Sequence, residues 1–190
     1  MTHTHPDDEE LMKKVRDGDV DALGTLFERH HRRLFGFFLR WAGDRQVAED
    51  LVQEVFFRML KYRHTYRDDG DFKVWSLSLA RNVTNDRWRR AGRVAEHETV
   101  VDETPDVAAS APLAFDRMAT EERNTLLRRA LAELPDDKRE LIELARFQNL
   151  PYTQIAELLD TTVGAVKVRV HRAVKQLGDT ARRMAPELAT

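Results

Sequence analysis

An acidic, proline-punctuated belt in the middle of the chain sets the tightest limit on how it can fold. Between Val94 and Glu122 stand eight acids (Glu96, Glu98, Asp102, Glu103, Asp106, Asp116, Glu121 and Glu122) against one base, Arg117. The same stretch holds Thr104-Pro105, an Ala-Ala-Ser-Ala run and Pro112, and shows no helical periodicity until about Leu113. Like charges at this density repel, proline removes backbone donors, and no apolar face is available to bury. The segment from about Val94 to Ala114 therefore predicts an extended linker, and the 190 residues must build their cores on either side of it. The belt also accounts for the net charge of −2. With its excess of acids set aside, the remainder is basic, at about +5. A nearly neutral average thus conceals a chain suited to a polyanionic partner.

Composition narrows the function classes. Cysteine is absent, which excludes a disulfide framework, a zinc knuckle and a thiol nucleophile and agrees with a reducing cytoplasm. With 8 Gly and 6 Pro the chain is poor in turn formers, which disfavours an all-β fold. Met1 to Glu10 is polar and acidic without the apolar core of a signal peptide, and no stretch approaches the length of a membrane span. The expected location is the cytoplasm, with no membrane insertion.

Before the belt the pattern is helical. Leu11, Val15, Ala22, Leu23, Leu26, Phe27, Leu34, Phe35, Phe38 and Leu39 recur at spacings of three and four, with a break at Asp17-Gly18-Asp19. Asp44 is placed to cap a helix whose stripe runs Val47, Leu51, Val52, Val55, Phe56, Met59 and Leu60. Its other face carries Glu49, Asp50, Gln53, Glu54 and Arg58. A polar loop, Tyr62 to Asp71, follows. Phe72, Trp75, Leu79 and Val83 then mark a helix that turns basic, with Arg81, Arg87, Arg89, Arg90 and Arg93 against Asp86. Arginines interleaved with aromatics suit a melted strand, where bases stack on rings and phosphates meet guanidinium groups. The plain alternative is core tryptophans beside a solvated charge run. Trp75, on the apolar stripe, is expected in the core; Trp88 fits either reading.

Beyond the belt, Leu127, Ala130, Leu131 and Leu134 give a helix ended by Leu134-Pro135. Asp137 and Glu140 have capping-box spacing for the next, lined by Leu141, Ile142, Leu144 and Ala145 and broken at Asn149-Leu150-Pro151. Pro151 suits the first turn of a short helix with Ile155, Ala156, Leu158 and Leu159 on one face. Asp160-Thr161-Thr162 makes a tight turn in which Asp tolerates the left-handed conformation, and Thr161 or Thr162 caps a second helix. Val166, Val170, Ala173, Val174 and Leu177 face inward there, while Lys167, Arg169, Arg172 and Lys175 point away, with Val168 and His171 near the same surface. A short helix, a tight turn and a longer basic helix describe a helix-turn-helix, whose second helix enters the major groove N-terminus first. Lys and Arg supply phosphate affinity, and outward residues of the first turns reach base edges. An ordinary helical hairpin with a solvated basic face remains the alternative.

Other constellations point away from chemistry. Glu49, Asp50 and Glu54 face solvent with no histidine at ligand spacing, so a protein-contact surface is expected rather than a metal or acid–base site. The seven histidines form no metal site; His30 and His31 face different directions. With no cysteine and no Gly-rich phosphate loop, an enzyme is disfavoured and no cofactor is expected.

Three strings share a resemblance. Ala48-Glu49-Asp50-Leu51-Val52-Gln53-Glu54-Val55-Phe56 resembles the most recognisable segment of region two in extracytoplasmic-function sigma factors. Phe72-Lys73-Val74-Trp75, Ala80-Arg81-Asn82 and Asp86-Arg87-Trp88-Arg89-Arg90 resemble its promoter-melting helix. Leu131 to Pro135, Arg139-Glu140, Tyr152 to Ala156 and Val163 to Arg169 resemble region four. The resemblance covers about Leu11 to Leu177 in the family's order.

The fold expected is all-α: two small helical domains, a region 2 bundle (1–93) and a region 4 helix-turn-helix domain (118–190), joined by a flexible acidic linker (94–117). The resemblance implies an alternative sigma factor that binds core RNA polymerase, reads −35 and −10 promoter DNA and helps melt it. Asp50, Gln53, Glu54 and Phe57 would dock on the clamp helices of the largest subunit. The loop Tyr66 to Asp71, with Tyr66, Arg67, Asp68 and Asp69, would capture a flipped −10 base. Asn82, Asp86, Arg89 and Arg90 would lie beside the melted strand. Thr162, Gly164, Lys167, Val168, His171 and Arg172 would face the −35 element, with the C-terminal domain on the polymerase flap and the linker in the RNA-exit path. An anti-sigma partner is implied too. The sequence departs from the family at Val168, where Ser is common, and at His171, where a larger apolar residue is common, so a relative's promoter sequence does not carry over. Gly164 near the start of the second helix fits the family, and the plain alternative there is close backbone approach within the hairpin. A stand-alone helix-turn-helix regulator is the competing reading, and it leaves the strings at 48–56 and 75–93 without a role.

Overall fold

The computed structural model describes the backbone of residues 6–94 and 114–185 and the side chains of residues 6–89 and 123–185. The chain divides into two compact units, Met1–Thr104 and Pro105–Thr190. Every regular element among the described residues is helical. Most of the expected linker, residues 95–113, lies outside the described residues; α4 (Phe72–Val94) reaches its near edge and α5 (Ala114–Ala132) begins within the stretch expected as linker.

The first unit contains α1 (Asp8–Arg16), α2 (Asp21–Ala42), α3 (Arg45–Lys61), a 3-10 turn at Arg63–Thr65, and α4. Asp7 opens α1 by accepting the backbone N–H of Glu10 at 2.7 Å. Acids fill the first turn and bases the last, matching the helix dipole. The chain then breaks at Gly18, whose φ of +111° is costly for any residue with a Cβ. Asp44 caps α3 through the N–H of Val47 at 2.7 Å, as expected. α2 packs against α1 and α3, and α3 against α4. Their shared core holds Met12, Leu26, Leu34, Phe38, Met59 and Leu77, all fully enclosed.

One expectation shifts here. In the second half of α2 the buried stripe is Leu34, Phe37, Phe38 and Trp41, whereas Phe35 and Leu39 are only half-buried. The apolar run Leu34 to Leu39 fits two adjacent stripes, and packing onto α1 and α3 selects the one that includes Trp41.

The second unit runs α5, α6 (Asp136–Ile142), a π-helical turn at Glu143–Phe147, α7 (Tyr152–Leu158) and α8 (Val163–Met184). Leu131, Leu134, Ile142 and Ala173 form its core, with Leu127, Phe147 and Leu177 packed around them. The expected Asp137 capping box is absent. The helix starts two residues earlier than that cap would have it, Pro135 occupies the cap position, and no side chain caps it. Asp137 is therefore already helical and cannot close a cap around Glu140.

The end of α5 is closed by a side chain that periodicity does not reveal. The guanidinium of Arg139 donates to the carbonyls of Leu131 at 2.9 Å, Ala132 at 2.8 Å and Leu134 at 3.3 Å. Leu131 and Ala132 belong to the last turn of α5, where carbonyls lack the usual intrahelical donors, and Leu134 lies just beyond it.

Candidate nucleic-acid interface and docking face

In the second unit, α7, its turn and α8 form the expected hairpin. Pro151 stands just before α7 at the cap position rather than in its first turn. Ile155 and Ala156 are buried, while Leu158 and Leu159 reach only half-burial. Asp160 adopts the left-handed conformation at φ 49°. Thr162 caps α8, its hydroxyl accepting the N–H of Ala165 at 3.2 Å.

Val166, Val170 and Ala173 turn α8 inward and are fully enclosed. Val174, expected to join them, lies 36% exposed. Successive residues turn by about 100° around a helix, so the residue after a central core position falls at the rim. Lys167, Val168, Arg169, His171, Arg172 and Lys175 are all exposed. Lys167, Val168, His171 and Arg172 make one strip along the second and third turns. Arg169 leans toward Asp137 of α6 at 3.9 Å.

The plain alternative for Gly164, close backbone approach, does not hold. A Cβ there would meet only the Thr162 hydroxyl, at 4.0 Å, so nothing within the hairpin demands a glycine. Instead Gly164 itself is exposed and leaves the backbone of the first turn of α8 uncovered at that position.

In the first unit, Asp50, Gln53 and Phe57 lie exposed along one stripe of α3, with Glu54 half-exposed between them. Phe57 is 59% exposed, a large apolar ring set in an acidic surface. Glu54 is engaged: it accepts from Arg58 Nε at 2.6 Å. Arg58, read from sequence as a solvent-facing residue, reaches across to α4, where its Nη1 donates to Asp86 at 2.7 Å. The other oxygen of Asp86 accepts from Arg89 at 2.5 Å. The hydrogen bond from Arg58 holds the Asp86 carboxyl below the usual carboxylate range, and Arg89 adds to this.

Between α3 and α4 opens a cleft of about 420 Å³ lined by Arg58, Tyr62, Trp75, Asn82, Asp86 and Arg89, among others. It brings together three of the residues expected along the melted strand, Asn82, Asp86 and Arg89. Sequence reasoning missed Arg58 and Tyr62 as its walls and assigned Trp75 to the core. A signal was available: Trp75, Asn82, Asp86 and Arg89 fall at steps of seven, four and three, a single helix face. Trp88 packs half-buried against Trp41 of α2, ring centroids 6.4 Å apart. The side chain of Arg90 lies outside the described residues.

The loop after the 3-10 turn corrects the reading of Tyr66. Its side chain is enclosed, its ring meets Trp75 edge-on at 5.2 Å, and its hydroxyl donates to the Gly70 carbonyl at 2.7 Å. Burial, reinforced by Glu9, pushes its ionisation far above the ordinary phenol range. Tyr66 is thus an internal strut and presents no free surface to a base. Gly70 completes the closure: a Cβ there would lie 3.0 Å from the Arg67 carbonyl and 3.3 Å from the Tyr66 ring. Arg67, Asp68 and Asp69 point outward, with Arg67 gripping Asp69 at 3.0 and 3.2 Å.

Among the described residues no group of three or more His, Asp or Glu side chains could hold a metal ion. No described helix is long and apolar enough to cross a membrane.

Residues 26–94 match the family described as Sigma-70 region 2, and residues 124–177 match Sigma-70, region 4. Over 166 residues the chain is 31% identical to RNA polymerase sigma factor CarQ of Myxococcus xanthus, covering 87% of this chain and 92% of that protein. It is 28% identical over 173 residues to ECF RNA polymerase sigma factor SigW of Bacillus subtilis, covering 87% and 92%. Two solved structures share its fold. CnrH, in complex with the cytosolic domain of CnrY, superposes with a TM-score of 0.64 at 23% identity, covering 90% of this chain and 95% of that one. The sigma factor RpoE of Bartonella quintana, in complex with the anti-sigma factor NepR, gives 0.67 at 22% identity, covering 84% and 96%. With region 2 and region 4 in order and a relative of this identity matched over nearly its whole length, the chain belongs to the ECF RNA polymerase sigma factors, which are not enzymes but bind RNA polymerase and direct transcription initiation.

Proposed function

We propose that the two units read two separate promoter elements, the first unit the −10 strand and the second the −35 duplex. The observation that carries this reading is the exposed strip of α8. Its residues Thr162, Gly164, Lys167, Val168, His171 and Arg172 cluster around a capped, side-chain-poor helix start, the end a recognition helix puts into the major groove. Lys167 and Arg172 neutralise phosphates. Val168 offers a methyl contact to thymine, and His171 offers a ring nitrogen to a base edge.

The first unit docks on the polymerase clamp helices through Asp50, Gln53, Glu54 and Phe57. Arg67, Asp68 and Asp69 stand around the captured base, and the α3–α4 cleft, with Asn82, Asp86 and Arg89, guides the separated strand. Trp75 in the cleft wall supplies a ring for stacking. Arg90 extends the basic face. The second unit rests on the flap, and the acidic linker follows the basic RNA-exit path. Joined by the linker, two weak readers act together through effective concentration. A protein inhibitor that clamps the free chain completes the reading; it is supported by the complexes in which CnrH and Bartonella RpoE were solved.

Transcription in vitro with core polymerase and fragments of host genomic DNA tests the assignment. Discrete new starts sharing two upstream elements are the expected result. DNA binding without core binding or new starts would instead make the chain a free-standing regulator and remove the docking role from α3.

A further inference from the structure

We propose that α1 is a positioning element for the loop at residues 66–71, Arg16 and Glu9 setting the loop's shape and hence its −10 base preference without touching DNA. The proposal rests on the assignment of that loop as the base-capturing element. α1 lies outside the residues matched by the region 2 family, which begin at residue 26.

Three hydrogen bonds carry the inference. Arg16 Nη1 donates to the backbone carbonyl of Tyr66 at 3.3 Å and to the Asp68 carboxylate at 2.8 Å. Glu9 accepts the backbone N–H of Phe72 at 3.1 Å. α1 therefore holds the loop at its first residue, its middle and the residue just beyond its end, across 50 to 63 positions of sequence. Two of the three bonds go to backbone, which fixes chain path, whereas an exposed side-chain pair alone would fix little.

The support is itself rigid. Leu11, Met12 and Val15 are buried beneath α1. On its other flank Asp8 accepts from Arg29 at 2.8 Å and meets His30 at 2.6 Å. The Arg16 guanidinium is held sideways by Asp17 at 3.1 Å. With Tyr66 closed onto Gly70 from inside and α1 gripping from outside, Arg67 and Asp69 face outward, bonded to each other. A recognition site loses discrimination when its supporting residues let it drift by half an ångström or more. Rigid support also removes the ordering cost that the loop would otherwise meet on binding.

The test is transcription by core polymerase loaded with the full chain, on a promoter library randomised across the −10 element, with transcripts sequenced. Arg16→Gln and Glu9→Ala are compared with wild type, with the loop-tip variants Arg67→Ala and Asp69→Ala, and with Arg16→Lys. Core affinity and thermal unfolding are measured for each. Arg16→Gln is expected to lower output from the preferred sequence by about threefold to tenfold, the scale of one ordinary hydrogen bond, because the Arg16–Asp68 pair is open to solvent and screened. The ranking of bases at one −10 position changes, core affinity does not, and Arg16→Lys restores part of the ranking. Combining Arg16→Gln with Asp68→Asn adds little to either alone.

A uniform fall across the library with the ranking intact would make α1 an ordinary stabilising helix and overturn the proposal. If the loop-tip variants shift the ranking and the α1 variants do not, base capture by the loop stands and the role of α1 falls. If neither set shifts it, the loop assignment fails and the proposal with it.

Discussion

Replacing Arg139 with alanine removes the plug from the end of α5. Three carbonyls, those of Leu131, Ala132 and Leu134, lose donors at 2.9, 2.8 and 3.3 Å. A hydrogen bond from a charged donor contributes about 1.5–3 kcal/mol net, and two of these are short. Against that, burial lowers the proton affinity of Arg139, so the folded chain already bears a desolvation cost that the substitution relieves. The balance is a loss of about 3 kcal/mol, a large part of the ~5 kcal/mol expected of a small helical unit. At several degrees per kcal/mol for a unit of this size, its melting point should fall by about 15 °C.

The sequence supplies a selective reporter for this experiment. Trp41, Trp75 and Trp88 all belong to the first unit, so tryptophan fluorescence follows that unit alone, whereas far-ultraviolet circular dichroism follows the helices of both. Arg139→Ala should bring one helical transition down and leave the fluorescence transition in place. Arg139→Lys, with fewer and less fixed donors, should fall between. An alanine variant that melts with wild type, or one whose two transitions drop together, would refute the assignment of Arg139 as the closure of α5.

Three further outcomes are expected. Lys167→Ala and Arg172→Ala should each weaken duplex binding on every sequence and lower the salt slope by about 0.9, measured by anisotropy across a salt series; an unchanged slope would take that residue off the phosphates. Phe57→Ala should change unfolding stability by less than about 0.5 kcal/mol, because the ring is already 59% exposed, yet weaken core polymerase binding about tenfold or more; equal affinity by surface plasmon resonance would remove it from the docking face. Burial lowers the proton affinity of His30, and Arg33 and Arg29 add to this, while Asp8 opposes it; the ring of Phe72 packs on its face. The unfolded chain then takes up the proton first, so this contribution is complete above about pH 6.5 and is lost as pH falls toward the depressed folded value. His30→Gln should flatten that acid-side loss in fluorescence-monitored unfolding, and an unaltered slope would point to another group.

What could be read in advance follows the range of the interaction. The Asp44 and Thr162 caps, the left-handed Asp160 and the break at Gly18 are decided by residues within four positions of one another, and their spacing reveals them. The α8 strip is legible for the same reason. Arg58 to Asp86, Arg16 to Asp68 and Glu9 to Phe72 join residues 28 to 63 positions apart, and no local pattern marks them. Tyr66 misleads because an aromatic in a polar loop is as ready to seal the loop as to meet a ligand. Asp137 misleads because the spacing of a capping box is also the spacing of two ordinary first-turn residues. Trp75 misleads because its spacing to Phe72 and Leu79 fits the apolar stripe, while its half-buried ring also lines up with Asn82, Asp86 and Arg89 and stands in the cleft wall.

The π-helical turn at Glu143–Phe147 has a consequence for the chain's history of insertions and deletions. Its bonds, Gln148 N–H to the Glu143 carbonyl at 2.9 Å and Leu150 N–H to the Leu144 carbonyl at 3.0 Å, span one or two residues more than an α-helix would. A turn wider than the α-helix is where a helix takes up a single extra residue, so loss of one residue here would let it close to regular α-helix with little effect on the elements that follow. The same deletion inside α8 has no wide turn to absorb it and would rotate every later residue of that helix by about 100°. The turn is therefore a place where the length of the second unit can change while the exposed strip of α8 keeps its facing.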